Sequence, residues 1–319
     1  MLLVALTVNR YQISMSRFKR SLCVFIHFSK SEFIPKYVEI YVNELSLHFD
    51  DVVFVLNKRS IKSDLTLFNK NITLQLHKNE GYDLGMFYKV VQTIDLNEYS
   101  RIACINDSNV LFNKLSPIFS WADSKNYDFW GLIDSYEKPW FSTHLNNYHL
   151  QSHFIVFNER AIQLLSLFFT SIQTEEIFKE TNLTKLRQNV INSWEIGLSQ
   201  FMIQNGLSSG SYINSEIYSH KYLSGQEKNI GHLLYPQLIR DGYPLLKKKI
   251  IFNRKLKDIF RFQTSWKKLI RLFGNQEWEI DEMMNELIEI KNRSGNQAVR
   301  KIKDIWTENY NFLFKKDVA

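Results

Sequence analysis

Apolar positions in this chain come in short unbroken runs, and amphipathic stretches separate them. Leu22-Cys23-Val24-Phe25-Ile26 ends at His27, and Val52-Val53-Phe54-Val55-Leu56 ends at Asn57. Ile72 to Leu76 repeats the theme before His77, and Ile102-Ala103-Cys104-Ile105 follows Arg101. Such runs suit strands buried on both faces, as in a parallel sheet. After the first run, Pro35 takes a first helical position, and Val38, Tyr41, Val42 and Leu45 follow at helical spacing. A second helix is predicted from about Asp83 to Ile94. Strand, helix and strand therefore alternate through residue 105, which predicts a doubly wound α/β sheet.

Beyond it, Phe129-Trp130-Gly131-Leu132-Ile133 and Ser152 to Phe157 read as two more strands. They bracket an irregular stretch, Asp134 to Tyr148, rich in aromatics and His; a loop of that length inside a compact domain is functional or disordered. Helices are predicted over Ala161 to Ile172, over Trp194 to Asn205, and throughout the region from Leu256 onward. Residues 1–20 read as a mobile leader, 21–253 as the α/β domain and 254–319 as a helical C-terminal extension.

Composition narrows the class. An apolar content of 45% with 14% aromatic residues is that of a globular protein. Only Cys23 and Cys104 are present, both in strand-like runs, so a disulfide framework is not expected and a reducing compartment fits. No apolar run is long enough to span a bilayer. We expect a cytoplasmic protein, peripheral at most at the inner face of the cell membrane. The net charge of +7 is unevenly placed. Residues 1–246 carry 23 basic and 23 acidic side chains, whereas 247–319 carry 17 and 10.

The candidate chemistry gathers where the third and fourth strands end. Asn79-Glu80-Gly81-Tyr82-Asp83-Leu84-Gly85 opens a helix, and the fourth strand runs into Asn106-Asp107-Ser108. Ligands of open α/β sheets bind at the C-terminal ends of strands. Glycines admit close backbone approach, and an Asp on a strand tip can hold a divalent cation against a diphosphate. The same triplet also suits a strand-terminating turn. Asp83 fits either a nucleotide contact or a charge stabilising a helix start. Glu195, in Trp194-Glu195-Ile196-Gly197, is the candidate general base; an indole neighbour would partly desolvate it and favour proton abstraction from a hydroxyl. His149, Gln151 and His153 share one strand face by alternation, looking into a cleft or into solvent. Asp134 and Glu137 are the second-choice carboxylates.

These stretches resemble the rhamnan synthesis protein F family, a bacterial group of glycosyltransferases. The resemblance rests on Val24-Phe25-Ile26-His27, Asp51-Val52-Val53-Phe54-Val55, Asn79 to Gly85 and Ile105-Asn106-Asp107-Ser108. It continues through Asp128-Phe129-Trp130-Gly131-Leu132, Asp134-Ser135, His149-Leu150-Gln151-Ser152 with Phe154, and Trp194 to Gln200. The order is also similar to inverting family 2 glycosyltransferases. The resemblance implies a GT-A-like (Rossmann-like) sheet flanked by helices. It further implies transfer of a sugar, L-rhamnose from a dTDP donor (or another dTDP- or UDP-sugar), onto a growing polysaccharide or lipid-linked glycan. By that analogy His27, Asn79, Gly81, Asp83, Gly85, Asn106 and Asp107 bind the nucleotide-sugar, with Asp107 also holding Mg or Mn. Trp130, Gly131, His149, Gln151 and Trp194 line the pocket, and Glu195 or Asp134 acts as base. The chain departs from the family 2 pattern at two places. Asn106-Asp107-Ser108 has one acid for two, and Trp194-Glu195 replaces an acidic pair. A catalytically silent sugar-binding partner in a synthase complex is the alternative. A nucleotidyltransferase is disfavoured, because no Gly- and Arg/Lys-rich phosphate loop stands near the N-terminus.

From Lys247 to Arg271 there are ten basic residues and one acid, with Leu256, Ile259, Phe260, Leu269 and Ile270 near one helical face. That pattern reads as a segment for an anionic membrane surface. It equally reads as half of a hairpin with the acidic run Glu277 to Glu289. No nucleic-acid motif accompanies the charge.

Overall fold

The computed structural model describes residues 19–28, 32–57, 61–225, 229–252, 265–290 and 292. The first eighteen residues of the expected leader, and the helices expected over 256–264 and 293–319, lie outside them.

Four strands and two helices open the fold: β1 (Arg20–His27), α1 (Lys36–Leu45), β2 (Asp51–Leu56), β3 (Ile72–Leu76), α2 (Tyr82–Val91) and β4 (Tyr99–Asn106). A short β5 (Asn109–Leu111) and α3 (Ser116–Asp123) lead to β6 (Phe129–Ser135), β7 (His149–Leu150) and β8 (Phe154–Asn158). Helices α4 (Glu159–Ser171), α5 (Thr174–Phe178), α6 (Leu183–Val190) and α7 (Gly197–Gln204) follow, with a π-helical segment, Ile191–Ile196, joining the last two. The remaining elements are β9 (Ser209–Ile213), α8 (Ser215–Leu223), α9 (Ile230–Leu233), α10 (Tyr235–Arg240), β10 (Leu245–Lys247), α11 (Lys248–Phe252), α12 (Trp266–Phe273) and α13 over 280–290.

Eight strands form one mixed sheet in the order β3-β2-β1-β4-β8-β6-β7, with β9 on β6. β1, β2, β3 and β4 are mutually parallel, whereas β8 runs antiparallel to both β4 and β6. This is the helix-flanked, mostly parallel α/β sheet expected from the strand and helix alternation. Chain order reverses between β1 and β4, the place where open α/β sheets bind ligands.

The unbroken apolar runs of β1, β2 and β4 are explained by burial on both faces. β3, at the sheet edge with Thr73 and Gln75 in its run, has no fully buried residue and corrects that expectation. Cys23 and Phe25 of β1, Val52 and Phe54 of β2, and Ala103 and Ile105 of β4 face a core shared with α1 and α3. Leu22, Val24, Ile26, Val53, Val55, Ile102 and Cys104 face the opposite core, with α2, α4 and α7. Both cysteines are free and buried.

Three more expectations need correction. The strand expected from Ser152 begins at Phe154, because a turn at residues 152–153 interrupts it. His149, Gln151 and His153 therefore do not share a strand face. The helix expected from Trp194 starts earlier and passes through the π segment. Where it is described, the C-terminal extension packs on the sheet domain: Leu269, Ile270, Ile280, Met283, Met284 and Leu287 bury in the same core as α1. The apolar face of α12 is thus already covered by the protein. No described helix is long and apolar enough to cross a membrane.

Candidate active site

Strand alternation splits the tip of β4 in two. Asn106 continues the row Ile102, Cys104 and points to the α2 side, where its amide donates to Asp83 Oδ2 at 2.5 Å. Asp107 turns toward α1. Its Oδ2 accepts from Tyr37 Oη at 3.1 Å and from Lys248 Nζ at 2.7 Å, and lies 2.5 Å from His27 Nδ1. His27 arrives there because it continues the row Cys23, Phe25 along β1.

Lys248 comes from 141 residues away in sequence. β10 pairs antiparallel with β5, matching Lys247 to Asn109, and the Lys248 amide donates to the Ser108 carbonyl at 3.0 Å. That pairing delivers Lys248 to the β4 tip and places Lys247 next to it in the chain, beside Gln151. Lys247 Nζ donates to Gln151 Oε1 at 2.9 Å and Asn229 Oδ1 at 3.0 Å.

The two sides meet through the 152–153 turn. Asn106 Nδ2 lies 3.4 Å from the Ser152 carbonyl, and the Asn106 amide donates to the His153 carbonyl. The Ser152 hydroxyl in turn donates to Glu195 Oε1 at 3.2 Å. Glu195 sits in the π segment, a distortion that recurs at functional sites. The carbonyl of Asn192 in that segment is taken by His144 Nε2 at 2.9 Å, so the loop after β6 is tied to the helix that carries Glu195.

Electrostatics couple the same groups. Burial, then the negative charges of Asp107 and Glu195, push the Asp83 carboxyl up to about 7. Burial alone would also raise Asp107, but His27 and Lys248 outweigh it and bring that carboxyl down to about 2. Burial pulls the Lys247 ammonium down to about 8, with Glu195 and Glu137 opposing. Burial, then the charge of Lys247, holds His153 down at about 3; its Nε2 meets Tyr243 Oη at 2.9 Å.

The glycine-containing turn has its own demands. Gly81 is left-handed at φ 69°, and a Cβ there would meet Phe178 at 2.2 Å. A Cβ on Gly85 would strike the Glu80 carbonyl, so both positions need glycine for backbone and packing. Asn79 is exposed just before this turn.

Several expected pocket residues lie elsewhere. Trp194 stacks on Phe169 at 5.9 Å and packs on Phe87 and Phe168, because successive helical residues face different ways. It does not shield Glu195. Trp130 is buried against Phe119, Trp121 and Phe154. Gly131 lets β6 approach Leu150 and the Phe154 carbonyl. His149 Nδ1 meets the Asn147 carbonyl at 2.7 Å. Asp134 accepts from Ser211 Oγ at 2.8 Å and from the Ser215 amide, the first N–H of α8, at 2.6 Å. With Tyr136, Tyr148 and Ser211 it borders a separate concavity of about 420 Å³. Tyr37, Ser152, Lys247 and Lys248 were missed from sequence. The two lysines were visible only as part of a basic run.

The donor set does not fit a resident divalent cation. Mg and Mn want several oxygen ligands. Here Asp107 Oδ2 already receives three donors, one of them an ammonium. Among the described residues no group of three or more His, Cys, Asp or Glu could hold a metal.

The sequence matches the model of the rhamnan synthesis protein F family over residues 13–316. The chain belongs to that family. The virulence protein VirA of Vibrio anguillarum is 26% identical over 223 residues, covering 63% of this chain and 69% of VirA. Among solved structures, a putative glucose-1-phosphate thymidylyltransferase from Bacillus anthracis aligns at 9% identity and TM-score 0.37, over 61% of this chain and 87% of that one. The glycosyltransferase GlyE of Streptococcus pneumoniae aligns at 9% identity and TM-score 0.36, over 80% and 63%.

Proposed function

We propose that this protein is a glycosyltransferase that moves a sugar, L-rhamnose from dTDP-rhamnose, onto a growing cell-surface polysaccharide or lipid-linked glycan. Membership of a rhamnan synthesis family supports the sugar. The observation that carries the chemistry is the hydrogen-bonded path Asp83–Asn106–Ser152–Glu195 beside the Asp107–Lys248 pair. It sets the Glu195 carboxylate within electrostatic reach of Lys247 near the strand ends. In this reading Glu195 takes the proton of the acceptor hydroxyl as its oxygen bonds the anomeric carbon. The bond from that carbon to the diphosphate oxygen breaks, and configuration inverts. A lipid-linked acceptor would place the enzyme at the inner face of the membrane. Exposed Lys267 and Lys268 would supply an electrostatic contact there, with no insertion of the covered face of α12.

The test is a panel of dTDP-, UDP- and GDP-sugars. A donor at 100 times its Kd stabilises the fold by about 2.7 kcal/mol. dTDP-rhamnose is expected to raise Tm most and to release dTDP when acceptor is added. Stabilisation without release would identify a silent binding partner. No stabilisation by any sugar nucleotide would reject the proposal.

A further inference from the structure

Lys248 at the β4 tip and Lys247 beside Gln151 hold different partners, and a role for them rests on the donor-site reading above. Lys248 forms its ion pair on the strand-tip carboxylate where a hard cation would otherwise bind. Tyr37 supports it from below, 3.2 Å from Nζ. Lys247 is different. Its two described partners, Gln151 and Asn229, offer neutral amide oxygens, and no carboxylate lies within ion-pair distance of it among the described residues. An ammonium with three N–H donors and two neutral acceptors has both charge and a donor left for an anion. The nitrogen end of the same Gln151 amide is buried without a partner among the described atoms. A buried donor left unmade is costly, and an anionic oxygen would satisfy it.

We propose that Lys247 and Lys248 together neutralise the diphosphate of the sugar donor, in the role a divalent cation would otherwise fill, so that donor binding needs no metal. Lys247 brings a charge with no ion-pair partner among the described residues, and Lys248 a donor already fixed by Asp107. When the anomeric carbon leaves its diphosphate oxygen, the bonding pair stays on that oxygen, and the lysines face the added charge. Asp107 touches no donor atom in this arrangement; it is a positioning residue that fixes Lys248.

The test is equilibrium binding of dTDP and UDP to the full chain, in EDTA and then in Mn. Equal affinity in both conditions is expected. Lys247→Ala should weaken binding about 10–100-fold, the worth of one charged hydrogen bond, and Mn should not restore it. Lys248→Ala should behave alike. If that variant fails to fold, because it strands Asp107, Lys247→Ala carries the test, since it breaks no described ion pair. Electron paramagnetic resonance supplies a second readout: Mn should bind dTDP no better with the protein than without it. Binding that requires Mn, or Mn rescue of Lys247→Ala, overturns the lysine assignment and leaves the donor site standing. Absence of nucleotide binding under every condition overturns both.

Discussion

Two strands of this sheet run into the same pair of residues after the same kind of apolar run. β4 ends at Ile105-Asn106 with Asp107-Ser108 just beyond, and β6 ends Leu132-Ile133-Asp134-Ser135. Both aspartates are buried. Their partners differ in kind. Asp107 is held by the His27 ring, the Tyr37 phenol and the Lys248 ammonium, from three separate elements. Asp134 is held by a hydroxyl and the first amide of a helix. One carboxylate organises cations at the switch point of the sheet, and the other secures the start of α8. An Asp at a strand tip is therefore a question that only its long-range partners answer.

The comparison breaks most sharply at the proposed base. Glu195→Gln should lower kcat for transfer by roughly 10²–10⁴, the usual worth of general acid–base catalysis. Donor affinity should survive, measured by titration of dTDP. If affinity falls while kcat holds, Glu195 is a binding residue.

Asp107→Asn should cost both stability and donor binding. Removing one partner of a buried ion pair costs about 3–5 kcal/mol, and less here because Lys248 keeps 22% of its side chain in solvent. Urea denaturation measures it. The sign with pH follows from the depressed carboxyl. The native contribution of Asp107 is complete above the ordinary value of 3.8 and is lost as pH falls through about 2.

A smaller effect lies near neutral pH. Lys247 is pulled down to about 8, so an anionic donor finds it charged below that pH and increasingly neutral above. Asp83, at about 7, loses its proton in the same window and adds repulsion. dTDP affinity should therefore fall as pH rises from 7 to 9, about tenfold for the lysine per unit beyond 8. Lys247→Arg should flatten the upper part of the profile, because guanidinium stays charged. A flat profile in the wild type would separate Lys247 from the donor.

The smallest functional effect belongs to the other tip. Asp134→Ala should lower stability by about 1–3 kcal/mol, from a buried amide left unpaired, and leave kcat unchanged. Loss of transfer at normal stability would restore Asp134 as a candidate base.

The sheet was legible because burial on both faces writes continuous apolar runs, and helix spacing between them is a local signal. His27, Asp83, Asn106, Asp107 and Glu195 were legible because each ends a strand or marks a helical segment. Trp130 and Trp194 misled because a large aromatic beside a site motif looks the same whether it lines a pocket or fills a core. Lys247 and Lys248 were hidden for a different reason. Their placement depends on a three-residue pairing of β10 with β5, which no local pattern announces. Their charge was absorbed into a basic run that continues to Arg271. Tyr37 gave no signal of its own, lying just before the apolar positions read for that helix.

The most direct measurement is a crystal structure of the chain grown with dTDP in the presence of EDTA. The expected result is the diphosphate at the β4 tip, with oxygens about 2.7–2.9 Å from Lys247 and Lys248 Nζ. A diphosphate in the Tyr136–Tyr148 concavity beside Asp134, with the two lysines untouched, would contradict it.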